Sequence, residues 1–514
     1  MKAQTVKDYL AVHTWVGIVC GMVLFIAFYA GAFSMLKAEI SRWTQPPAAA
    51  SSAISDDGDA LMAAYLAEHP GPPGRLRLRW AGPDHAQPAL AQLRRGGEPT
   101  WWQLGQDGQL RRATHLPPED DTSGQFVDTL HRKGGLPIPL EWAEPVIGLV
   151  SLAYALALVS GVVVLLPTLV KDLFHLRLGA NLKRMWLDVH NLLGVTSLPF
   201  HLVIAFSAAV FGLHDLVYEA QDKFIYTGGL RATVARDAQP VADVPRADWL
   251  APSEIRQRVQ AQAPHFAPLG LDLVTRPDGR TVGVVHGVDE RHFQRAARYG
   301  LAFVHLGTGE ITDRTYLPGG SGLASSALLS SLFALHFGSF GGDPVRVLYV
   351  LLGLSGALLF YTGNLLWIET RTRRARAARG EVAPIEDRPR HVQVVSALTV
   401  GVCLGCAAAL PITLVLARWL APQLGNLNAL HQGAFYAVFA GCIAWALWRG
   451  TERAGRGLLA LAALGNALVP LAVVLDPSAD GVLLGALCGL LALFFGWLGL
   501  RQRAGVARAV AVAT

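Results

Sequence analysis

The sequence predicts an α-helical integral membrane protein with about eight transmembrane helices and two small α+β domains inserted in a duplicated helix–loop–helix unit. Three observations carry this. Of 514 residues, 52% are hydrophobic and only 16% are charged, whereas a soluble chain of this length carries about 25% charge. The apolar residues gather in long blocks, enough to cross about 30 Å of hydrocarbon. Histidines recur in matching contexts in residues 1–180 and 181–375.

The blocks run approximately over 10–36, 142–166, 187–216, 345–368, 392–419, 430–448, 458–474 and 481–500. The first is too long for a signal-peptide core, and Met35-Leu36-Lys37-Ala38 offers no small-x-small cleavage site. It reads as a retained helix. Basic residues fix the orientation. Lys171, Arg177, Lys183 and Arg184 follow the second block, and Arg371, Arg373, Arg374, Arg376 and Arg379 follow the fourth. Arg449, Arg453 and Arg456 follow the sixth, and Arg501, Arg503 and Arg508 the eighth. All fall on one side, so the positive-inside rule places both termini in the cytoplasm of a bacterial inner membrane. The same residues account for the net charge of +6. The partner they call for is a lipid bilayer, and no nucleic acid is needed.

The expected organisation is a first helix (1–36), a periplasmic loop (37–141), a second helix with its cytoplasmic connection (142–180) and a third helix (181–216). A second periplasmic loop (217–343), a fourth helix with a basic connection (344–390) and a four-helix module (391–514) complete it. All five cysteines lie in apolar blocks, so disulfides do not hold the loops. Cys403-x-x-Cys406 sits in an apolar helix without βαβ context and reads as packing.

The duplication runs through loops as well as helices. Tyr9-Leu-Ala-Val-His13-Thr-Trp-Val-Gly17 matches Trp186-Leu-Asp-Val-His190-Asn-Leu-Leu-Gly194. The first loop reads as a helix (59–68), strands at 75–80, 89–94 and 100–104, and a turn at 106–110. The second reads as a helix (252–263), strands at 271–275, 281–286 and 301–306, and a turn at 307–311. One small α+β unit per loop is expected. Next come Leu130-His131-Arg-Lys-Gly-Gly135 and Leu335-His336-Phe-Gly-Ser-Phe-Gly341, each before a membrane block. Residues 391–514 have no counterpart in the repeat.

His13-x-x-x-Gly17, His190-x-x-x-Gly194, the run around His336 and Ser355-Gly356…Trp367 resemble the PepSY-associated transmembrane family over roughly residues 5–375. That family includes iron-regulated inner-membrane proteins and ferric-siderophore reductases, the haem-containing ferrioxamine reductase among them. The resemblance implies PepSY-like periplasmic domains and reduction of a periplasmic ferric siderophore.

The histidines carry the expected chemistry. A low-spin haem b takes two neutral imidazoles on opposite faces of its iron, and facing helices supply them. An ionisable side chain inside a membrane is costly, so function is the default reading. His13 and His190 are repeat-equivalent near the cytoplasmic surface and are expected to ligate one haem. His131 and His336 are repeat-equivalent on the periplasmic side. His201 breaks the symmetry: eleven residues after His190, it returns to within roughly 20° of the same face about 16 Å further along. It is expected to ligate a second haem with His131 or His336. Arg184 and Lys183 stand where haem propionates would meet them. His175, His214, His391 and His431 read as anchoring or packing residues, and the loop histidines (His69, His85, His115, His265, His286, His292 and His305) as surface residues. Trp101 and Trp102 are expected to fill a small core, with stacking on a chelate the alternative.

The expected function is therefore haem-b-dependent electron transfer across the membrane on two haems that, as the resemblance implies, reduces a ferric siderophore and frees its iron. The electron donor is a quinol or a separate cytoplasmic flavoprotein, since no G-x-G-x-x-G follows a strand and no P-loop is present. Two other readings compete. A non-redox PepSY-type protein would bind or inhibit peptidases. A transporter would use the repeats, yet these run parallel and lack a mid-membrane acid.

Overall fold

A computed structural model describes residues 3–45, 51–82, 86–93, 99–113, 122–167, 181–226, 244–276, 278–289, 291–292, 300–320, 324–379, 389–424 and 427–513. Lys171, Arg177, His85, His115 and His175 lie outside the described residues. In chain order the first segment holds α1 (Ala3–Ser34), α2 (Lys37–Thr44), α3 (Gly58–Glu68), β1 (Arg75–Arg79), β2 (Ala89–Gln92), β3 (Thr100–Leu104), β4 (Leu110–Arg112), α4 (Ser123–Lys133) and α5 (Leu140–Leu165). The second holds α6 (Leu182–Thr196), α7 (Leu198–Phe224), α8 (Pro252–Gln262), β5 (Ala267–Thr275), β6 (Thr281–Val288), β7 (Gly300–Val304), β8 (Ile311–Asp313), α9 (Ala324–Phe337) and α10 (Gly342–Arg379). Then follow α11 (Arg390–Leu420), α12 (Leu427–Arg449), α13 (Thr451–Leu475) and α14 (Ala479–Ala513).

Among the described residues, eight helices are long and apolar enough to cross a membrane: α1, α5, α7, α10, α11, α12, α13 and α14. These are the eight blocks, including the seventh, which runs through Pro470 without a break. The third departs from a single rod. It ends as α6 at Thr196 and restarts as α7 at Leu198, with Ser197 off helical geometry at φ −102°, ψ 9°. Pro199 has no N–H to give to the turn before it, and the ladder lapses there.

The chain divides into two compact units, one of residues 1–45, 120–215 and 349–514, the other of residues 46–119 and 216–348. In the first, α1 packs on α5, α4 and α11. The most enclosed helix is α11, where Cys403, Cys406, Ala407, Ala408, Ala409 and Leu410 are fully buried. Its small residues let α12 approach: a Cβ on Gly401 would lie 2.9 Å from the Ile443 Cα. All five cysteines are free and buried.

In the second unit the strands of both loops form one eight-stranded antiparallel sheet, ordered β4-β3-β2-β1-β5-β6-β7-β8. Each loop contributes a helix and four strands in the same order, but the halves join rather than closing separately. The seam is β1 against β5, fastened by Arg77 to Asp272 through two hydrogen bonds of 2.8 and 2.9 Å. One face buries Leu76, Leu78, Leu271, Leu273 and Val285 against Tyr65 of α3 and Ile255 and Val259 of α8. Alternation along β1 sends its arginines to the other face, where Arg79 lies 4.6 Å from the Trp101 ring. Trp101 is 5% exposed, and Trp102 packs on Tyr65 and His69. Both indoles fill cores.

His286 on β6 corrects the expectation of a surface residue. Its side chain is 16% exposed and lies 3.6 Å from Asp272. Burial pushes its imidazole down to about 4, against the raising effect of Asp272 and with Arg77 and Arg79 lowering it further. Between about 6.5 and 4 the unfolded chain then holds more protons at this site than the folded one. Stability is therefore lost as pH falls through that window, by at most about 1.4 kcal/mol per pH unit. Protection factors across β5 and β6, the exchange rates corrected for the intrinsic slowing of amide exchange in acid, should fall from pH 7 to pH 5 in the full-length protein. In His286→Gln this fall should shrink, and an identical pH response would refute the assignment.

Candidate functional site

His13, near the start of α1, and His190, on α6, come together. Their ring centroids lie 6.0 Å apart with the planes at 75°. The local scaffolding of each is the same. His13 Nδ1 lies 2.8 Å from the Ala157 carbonyl of α5, and His190 Nδ1 lies 3.1 Å from the Leu359 carbonyl of α10. A hydroxyl three residues on caps that same carbonyl, Ser160 at 3.0 Å and Thr362 at 2.9 Å. A glycine four residues on makes room for the ring. A Cβ on Gly161 would stand 3.0 Å from His13 Cε1, and one on Gly363 would stand 3.2 Å from His190 Cε1. Thus Ala157-x-x-Ser160-Gly161 and Leu359-x-x-Thr362-Gly363 are two copies of one imidazole seat.

The seat has a chemical consequence. A carbonyl can only accept, so Nδ1 carries the proton and Nε2 keeps its lone pair. This backing is what metal-bound histidines use to fix tautomer and ring orientation. The separation fits as well. Two imidazoles bound to one iron at about 2 Å place their centroids about 6 Å apart. One turn beyond each histidine stands a glycine. Among the described residues, nothing lies within 4 Å of a Cβ on Gly17, and the nearest atom to one on Gly194 is Leu359 Cδ1 at 3.6 Å. Space for a flat ligand therefore lies along the same helix faces. Among the described residues, no group of three or more His, Cys, Asp or Glu side chains could hold a metal ion.

His131, on α4, has a seat of the same kind at the far end of α1. Its Nδ1 lies 2.7 Å from the Ala27 carbonyl. Gly31, four residues on, makes room, with a Cβ there 3.0 Å from Nδ1. From His13 to Ala27 the helix rises about 21 Å, so α1 carries two histidine levels.

His201 is seated differently. It is fully buried, and its Nδ1 lies 2.6 Å from the Tyr154 hydroxyl. Phe28 and Phe200 enclose it at 5.5 and 5.7 Å. Its Nε2 has no hydrogen-bond partner among the described residues. A Cβ on Gly356 would overlap Phe28 and come within 3.1 Å of His201 Cε1. Despite the break at Ser197, His190 and His201 both meet α10, at Gly363 and Gly356 respectively. The common face read from the spacing is thereby kept. Tyr154 as its partner was not legible in any motif. The signal that could have found the two seats is the Ser160-Gly161 and Thr362-Gly363 pairs, each a hydroxyl beside a glycine in an apolar helix.

His336 belongs to the second unit, on α9, where its ring lies 5.3 Å from that of Phe337. Arg184 is exposed in the first turn of α6, and its backbone N–H is capped by Asn181.

The model of the PepSY-associated TM region matches residues 10–370. The chain belongs to the PepSY-associated transmembrane family. Among curated proteins none matches it. The PepSY-associated region takes in all the histidines above and both carbonyl–hydroxyl–glycine seats, and it ends before α11.

Proposed function

We propose that this protein is a membrane ferric-siderophore reductase of the bacterial inner membrane that carries electrons across the bilayer on two b-type haems. The observation that carries the reading is the His13–His190 pair, 6.0 Å apart, with each Nδ1 at a backbone carbonyl. A bis-histidine haem supplies reversible one-electron transfer at its iron.

The chain's own residues do the rest. Ala157 and Leu359 hold the imidazoles in the tautomer that leaves Nε2 basic. Gly161 and Gly363 let α5 and α10 come close enough to do so. Arg184 and Lys183 precede His190 on α6 and would meet the haem propionates. At the second level His131 and His201 provide the imidazoles, with Tyr154 orienting His201. The apolar helices keep water from both levels and so tune their potentials. The electron enters from a quinol or a cytoplasmic flavoprotein. It leaves to a ferric siderophore in the periplasm, reducing iron(III) to iron(II), which siderophores hold far more weakly. The two PepSY-like halves of the sheet would receive that substrate.

An ultraviolet–visible spectrum of the purified full-length protein tests this. A Soret band with sharp α-bands on dithionite reduction, and re-oxidation by a ferric siderophore, are expected. A colourless preparation from haem-replete cells that takes up no added haemin would refute it.

A further inference from the structure

The four helices α11–α14 lie beyond the family region, and the electron-transfer reading gives them no task. Their contacts are specific. His431 of α12 is 1% exposed, and its Nε2 lies 2.8 Å from the Ser123 hydroxyl at the first position of α4. The same ring stacks on Phe126 of α4 at 5.1 Å and 20°. One turn on, Phe435 meets Phe126 at 5.8 Å, and the Tyr436 hydroxyl donates to the Leu136 carbonyl just past the end of α4 at 3.2 Å. The entry and the exit of α4 are thus both tied to α12.

Helix α2 is tied as well. Arg418 of α11 donates to the Trp43 carbonyl at 2.8 Å and pairs with Asp476. Arg42 pairs with Asp480 of α14 at 2.7 Å. The fully buried Trp43 ring lies where a Cβ on Gly481 would approach to 2.8 Å. In turn α2 grips α4: Lys37 reaches Gln125 at 2.5 Å and Asp128 at 3.2 Å, and a Cβ on Gly124 would overlap the Lys37 carbonyl. An eleven-residue helix is marginal by itself, and this one carries His131 eight residues after Ser123.

We propose that the α11–α14 module is a brace for the second histidine level: through His431 it fixes α4, and so sets the depth and orientation at which His131 is presented. His431 is a positioning residue, acting on the site through α4. A hydrogen bond to a buried imidazole and a ring stack hold the helix against fraying at its start, the end farthest from His131. The inference rests on His131 as a haem ligand, and its test separates the two.

In purified full-length protein, His431→Ala and Ser123→Ala should each raise amide exchange across residues 123–133 about tenfold. Both should also shift the α-band and midpoint potential of the spectral component that is lost in His131→Ala. The component lost in His13→Ala should stay unmoved. His431→Gln, whose amide can reach Ser123, should restore both readouts. Unchanged exchange in both His431→Ala and Ser123→Ala overturns the brace whatever the haem content. So does raised exchange with the His131-dependent component unmoved. Raised exchange in a protein that binds no haem supports the brace and overturns the haem reading.

Discussion

Replacing His13 by alanine is expected to abolish one whole optical component of the reduced protein, and replacing His190 should abolish the same one. The two rings lie 6.0 Å apart on separate helices, each with Nδ1 committed to a carbonyl. Loss of either would leave a haem held there with one protein imidazole in place of the two expected for a low-spin centre. Gly161→Val and Gly363→Val should touch that same component. A side chain there starts 3.0–3.2 Å from the imidazole it displaces. Reduced-minus-oxidised spectra of the four variants check this. Loss of different components in His13→Ala and His190→Ala would refute the pairing.

The second large effect is on the bundle itself. Gly212→Leu should be among the most damaging single changes in the membrane helices. A Cβ at Gly212 of α7 would lie 2.6 Å from the Gly148 Cα and 2.7 Å from the Glu144 carbonyl, both on α5. The obstacles are backbone atoms, which cannot rotate aside, and close approach through small residues is how membrane helices associate. Overpacking costs about 1–3 kcal/mol and sometimes more. Forcing α5 from α7 should also part Tyr154 from His201, whose hydrogen bond spans the same two helices. Thermal unfolding in detergent measures the first effect, and recovery of haem at the second level the second. A Gly212→Leu protein as stable as the parent would show that this crossing does not hold the bundle.

The membrane helices and the meeting of His13 with His190 were legible because their signals are local. A twenty-residue apolar run and a repeated His-x-x-x-Gly need no knowledge of the remaining chain. The break at Ser197 was half legible, since Pro199 was visible but proline alone does not say whether a helix bends or restarts. The joining of the loops into one sheet was not legible at all. Strand β1 could have closed on its own hairpin, and nothing in Arg75–Arg79 names β5 as its neighbour. The same limit hid Tyr154. Its pairing with His201 spans 47 residues and leaves no trace in spacing. His286 was misread because a lone histidine among valines and glycines gives no sign that Asp272 will face it.

The seam between β1 and β5 bears on how the chain is made. Between these strands in sequence lie two helices bound for the membrane, α5 and α7. During synthesis β1 therefore waits for its neighbour on the order of ten seconds or more. A bare strand edge in that interval invites pairing with the wrong chain, and charged side chains along an edge discourage it. Arg75, Arg77 and Arg79 supply three such charges on alternate positions of a five-residue strand. When β5 arrives, Arg77 turns from sentry to fastener by closing on Asp272. The open edge of β1 thus carries charges that discourage wrong pairing until β5 arrives.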